Sequence, residues 1–85
     1  MKELILNENN GKFESIINLK SEKIMIQVEG ATTINLYVSV DSETWIEHTS
    51  GITITDTDII NIVNAKFMMY LKIESTNNVP VKILD

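Results

Sequence analysis

The chain has 85 residues, with 12 acidic side chains against 7 lysines, a net charge of −5, and neither arginine nor cysteine. That length points to a single domain, one that buries only roughly 60% of the surface its unfolded chain exposes. The lack of cysteine excludes a disulfide or thiolate–metal framework. Phosphate-binding surfaces need clustered Lys and Arg, so neither nucleic acid nor an anionic membrane is an expected partner.

The N-terminal run Leu4-Ile5-Leu6 is too short for a secretory signal, and the expectation is synthesis in a cytoplasm. No apolar run approaches the ~20 residues that span a bilayer. Asn7-Glu8-Asn9-Asn10-Gly11 reads as a turn, because Asn and Gly tolerate positive φ. Strict alternation then takes over. Ile24, Ile26 and Val28 alternate with Met25, Gln27 and Glu29, and Ile34, Leu36, Val38 and Val40 alternate with Asn35, Tyr37 and Ser39. Phe67, Met69, Leu71 and Ile73 alternate with Met68, Tyr70, Lys72 and Glu74; Val79, Val81 and Ile83 follow in the same way. A period of two is the mark of strands with one face in a core.

Gly30-Ala31, Ser50-Gly51 and Thr76-Asn77-Asn78 punctuate these runs. Strands are predicted near residues 2–6, 12–19, 23–29, 33–40, 45–48, 52–55, 67–74 and 79–84. Residues 56–66 are read as a further strand or an extended crossover, since the β-branched Ile59, Ile60, Ile62 and Val63 outweigh their partly helical spacing. Pro80 donates no ladder bond, so the last strand should lie at a sheet edge or begin at the proline. The expected fold is all-β: a small antiparallel sandwich of about seven or eight strands, jelly-roll-like or immunoglobulin-like.

Little in the chain looks like catalysis. Asp41, Glu43, Asp56 and Asp58 are conceivable calcium ligands, but no calcium loop surrounds them, and turn acids commonly bond nearby backbone amides instead. His48 is the only histidine; zinc would need three carboxylates or waters beside it. His48 with Ser50 shares a strand face, yet no orienting acid or oxyanion loop accompanies them. No enzyme activity, cofactor or metal is expected. The outward phase is richer, since it carries Tyr37, Met68, Tyr70 and Met25. Such residues are enriched in interfaces, although a bulge that shifts the phase would turn them inward instead.

The run Ile34 to His48, INLYVSVDSETWIEH, resembles a strand–turn–strand element of small β-sandwich modules whose usual form is S-x-D-G-x-x-W. Ser39, Asp41 and Trp45 match; Ser42 stands where glycine is usual. The resemblance implies that Asp41 caps the loop amides, that residue 42 takes a tight backbone angle, and that Trp45 closes the core. This element is found in discoidin-like carbohydrate-binding modules and in small virion proteins of tailed phages. The strand order around it is similar to head-decoration, head-fibre or tail-associated domains. That resemblance implies a non-enzymatic virion protein that decorates or stabilises a capsid, and contacts capsid or other virion proteins as a homo-oligomer, a trimer being one form. Tyr37, Met68 and Tyr70 are the expected interface. The competing reading is a glycan-binding or host-adhesion module with Trp45 as its platform. Core burial of a lone Trp at a hairpin end argues against it.

Overall fold

The computed structural model describes residues 2–62 and 69–85. These form nine strands in two antiparallel sheets: β1 (Lys2–Leu4), β2 (Asn7–Asn9), β3 (Lys12–Asn18), β4 (Ile24–Glu29), β5 (Thr32–Ser39), β6 (Ile46–Ile54), β7 (Thr57–Ile62), β8 (Tyr70–Ser75) and β9 (Val81–Leu84). One sheet runs β1-β9-β4-β7 and the other β2-β3-β8-β5-β6. Successive strands mostly change sheets, and only β2–β3 and β5–β6 are sequential neighbours within one. This is the jelly-roll order, not the immunoglobulin one.

The alternating residues supply the core. Ile24, Ile26, Val28, Val81 and Ile83 from the four-stranded sheet face Ile34, Leu36, Leu71 and Ile73 from the other, all fully or nearly fully buried. Leu4 of β1, Leu19, just past β3, and Ile54 and Ile62 at strand ends complete the cluster. At one end Thr32 Oγ1 and Ser75 Oγ share a 2.6 Å hydrogen bond. Asn77 N donates to Thr32 Oγ1 and Ser75 Oγ donates to Asn77 O. The buried hydroxyls are thereby satisfied, and the β8–β9 turn is tied to the start of β5.

Three expectations are corrected. The turn near residue 10 is only Asn10-Gly11, both at positive φ (55° and 80°), and Asn7–Asn9 is a strand paired with β3. A two-residue loop of that kind matches the right-handed twist of its flanking strands. Ser50-Gly51 does not separate strands. Residues 46–54 are one strand, whose register with β5 slips between Ile34 and Leu36 and again between Leu36 and Tyr37. Gly51 sits at φ +71°, and its amide donates to Asn35 Oδ1 at 2.8 Å. A side chain from the neighbouring strand thus satisfies the N–H that the bulge frees. Of the two alternatives for the last strand the second holds: β9 is interior, between β1 and β4, and starts immediately after Pro80, whose carbonyl accepts from Glu29 N. The strands number nine among the described residues, not seven or eight. The extended reading of 56–66 holds for β7; its residues 63–66 lie outside the described residues.

Candidate functional site: the open face of the five-stranded sheet

Register maps the outer face of this sheet row by row. Glu14, Glu74 and Asn35 form one row; Ile16, Lys72, Tyr37 and Glu47 the next; Asn18, Tyr70 and Ser39 the third. Trp45 joins the second row from outside the strands, with its ring 4.8 Å from the Lys72 ammonium. Both tyrosines and the only tryptophan therefore share one solvent-facing surface. The Lys72 ammonium lies 5.2 Å from the Tyr37 ring centroid and 4.8 Å from that of Trp45, within cation–π range of both.

The loop that delivers Trp45 is closed by its own side chains. Ser39 Oγ donates to Asp41 Oδ1 at 2.8 Å and accepts from the amides of Ser42 (2.9 Å) and Asp41 (3.2 Å). Asp41 Oδ1 also accepts from Glu43 N at 2.9 Å and Thr44 N at 3.0 Å. The backbone amides of Thr44 and Glu43, then the Ser39 hydroxyl, hold the Asp41 carboxyl down to about 2, because each favours the charged form. Ser42 adopts φ +61°, the left-handed conformation in which glycine is the usual choice. The capping and backbone roles expected of Asp41 and residue 42 are thus present.

Trp45 does not take its expected place. It is half-buried on the outer face and does not join the core cluster, whose ends are filled by aliphatic side chains. Tyr37 and Tyr70 lie on the outward phase as expected; Met68 lies outside the described residues. Met25 also faces outward, but on the opposite sheet, paired with Leu84 and close to Ile59; all three are about half exposed. Sequence reasoning missed Lys72. Its signal was present: it shares the phase of Tyr70, two residues away on one strand.

The polar groups around the aromatics are ordered by one another. Glu74 Oε1 accepts from Asn35 Nδ2 at 2.9 Å and pairs with Lys12 Nζ at 3.4 Å. Burial, and then the Glu74 charge, push the Tyr37 hydroxyl above its ordinary value. Lys72 has no carboxylate within 4 Å among the described residues, whereas Lys12 and Lys82 each have one.

The other candidates stay apart. His48 is exposed on edge strand β6, with Nδ1 2.8 Å from Thr49 Oγ1; Ser50, exposed on the same strand, makes no side-chain bond to it. Asp58 Oδ1 accepts from the Ile59 amide. No group of three His, Cys, Asp or Glu suited to a metal occurs among the described residues. Two surface hollows, ≈ 300 Å³ beside Met25, Ile62 and Leu84 and ≈ 180 Å³ beside Val38, Ile46 and Met69, are lined mainly by aliphatic groups. Comparison with protein-family models, with curated proteins and with solved structures finds no match for this chain.

Proposed function

We propose that the chain is a non-enzymatic binding module, a structural component of a phage-like particle, and that its working surface is the open face of the five-stranded sheet. The observation that carries this is the gathering of Tyr37 and Trp45 around Lys72, with Tyr70 in the next row, on a face that no other element covers among the described residues. Large, half-buried aromatics give contact area at little entropic cost and are the usual anchors of interfaces. The phage-like hairpin supports the particle context. In that reading the partner is a capsid or other virion protein, and repeated copies sum modest affinities through multivalency. Tyr37→Ser with Tyr70→Ser should abolish sedimentation with particles while the thermal unfolding of the domain stays cooperative. Undiminished co-sedimentation of the double variant would remove this surface from consideration.

A second reading, glycan binding, gains from the position of Trp45. A tryptophan on the outer face is available for stacking, and the rows beside it are polar: Asn18, Asn35, Glu47 and Glu74 surround the rings, with Ile16 the only half-exposed aliphatic of those rows. Protein interface cores are depleted of charge, whereas sugar sites combine rings with hydrogen-bonding groups. Quenching or a blue shift of Trp45 emission on a glycan panel, with no binding to particles, favours this second reading over the first.

A further inference from the structure

We infer that the Tyr37–Lys72–Trp45 clamp selects a saccharide bearing a single carboxylate, such as a uronic or sialic acid; this rests on the glycan reading of the face. Three observations point to it.

First, Lys72 lies on an interior strand, with β3 on one side and β5 on the other, so its ammonium rises through the middle of the face. Two rings fix it there, at 5.2 and 4.8 Å. A pre-positioned cation loses less freedom on binding than a mobile surface lysine does.

Second, that cation has no carboxylate within 4 Å among the described residues, although the chain is acidic. The nearest carboxylate on its own strand, Glu74, is already engaged by Lys12 and Asn35. Rings stabilise an ammonium without neutralising it, so a carboxylate placed over Lys72 would gain a charge-assisted bond that the protein does not supply.

Third, the surroundings limit how much negative charge is tolerated. Glu14, Glu47 and Glu74 share the face with Lys72. A polyanion such as a nucleic acid backbone would meet these carboxylates at every step, while one carboxylate on an otherwise neutral ring would meet only the ammonium. The ring's C–H face then lies against Trp45 or Tyr70, and its hydroxyls reach the exposed Asn18 amide and Glu47. A saccharide fits this mixture of flat rings and separated polar groups better than an apolar peptide does.

The test is a titration of the full chain, followed by Trp45 fluorescence and calorimetry. The probes are galacturonate with its methyl ester, glucuronate with its methyl ester, and sialyllactose with lactose. At least one acid should bind at least about tenfold more tightly than its uncharged counterpart, with the difference shrinking as salt rises. Lys72→Gln should erase that difference while leaving near-ultraviolet circular dichroism and the unfolding midpoint close to the parent's. Equal binding of acid and neutral partner overturns the charge selection and leaves the glycan reading standing. Absence of binding by every acid and every neutral probe, with co-sedimentation lost in Tyr37→Ser/Tyr70→Ser, overturns both the inference and the glycan reading and leaves the protein-partner reading. Equal binding of an acidic tripeptide overturns the inference in favour of a peptide carboxylate.

Discussion

Ser42 offers the sharpest test of how the 39–45 loop is built. Its φ of +61° places an L-residue in the left-handed region, which costs roughly 1–2 kcal/mol because Cβ crowds the following carbonyl. Glycine removes that cost, but it also frees the unfolded chain, which offsets roughly 0.5–1 kcal/mol. The amide that donates to Ser39 Oγ is kept in either residue, and the Ser42 hydroxyl makes no hydrogen bond within the described residues. Ser42→Gly should therefore stabilise the domain by about 0.5–1 kcal/mol, equivalent to a rise in melting temperature of about 2–8 °C for a chain this small. Ser42→Ala keeps the Cβ and should gain nothing. Urea unfolding followed by Trp45 emission reads the difference. The midpoint should move up by about 0.2–1 M at unchanged slope. If Ser42→Gly is no more stable than Ser42→Ala, the left-handed strain assigned to this position is wrong.

Other consequences follow from the same contacts. Asp41 contributes through its depressed carboxyl, so its stabilisation is complete above the ordinary carboxylate range and disappears as pH falls through about 2. Asp41→Asn should be less stable than the parent near neutrality, and the gap should narrow steadily as acid is added below about pH 4. A gap that is constant with pH would assign the loss to shape instead of charge. Gly30 sits at φ +146°, and a Cβ there would lie 2.9 Å from Val79 Cγ1. Gly30→Ala should cost about 2 kcal/mol or more in calorimetry, since a β-branched neighbour has little room to turn away. Asp58 guards the free edge of β7. The even-numbered residues of β7 face β4, so the Ile59 amide points outward, and Asp58 Oδ1 takes it at 2.8 Å. Asp58→Ala should increase self-association in sedimentation velocity, while Asp58→Asn, which still accepts, should not. Identical sedimentation of all three chains would show that the edge needs no such guard.

Much of this protein is decided locally. Alternation alone assigns Ile24, Ile26 and Val28, and Ile34 and Leu36, to the inside, because successive side chains of a strand must point to opposite faces. The same rule sends Tyr37 and Tyr70 outward. Ser39 and Asp41 close their loop with bonds that span only two or three residues, which is why a short motif sufficed to foresee them. What alternation does not carry is the identity of a strand's neighbours. Whether β9 lies at an edge or between β1 and β4 depends on how two sheets share one core, a long-range question to which Pro80 spoke only in part. The bulges of β6 are equally hidden: Ser50-Gly51 has the composition of a turn, yet the chain stays paired with β5 on both sides of it and the Asn35 side chain takes the Gly51 amide. Trp45 shows the difference most clearly. Its size favours the core by burial alone. Yet Leu19, Ile54, Ile62 and their neighbours already fill the interior, and Lys72, 27 residues on in the chain, offers the ring a cationic partner on the outer face. Local pattern settles most of the strands, their inward sides and the 39–45 loop, but neither β2 nor the continuity of β6; those, the strand order and the aromatic face depend on residues that meet only when both sheets are in place.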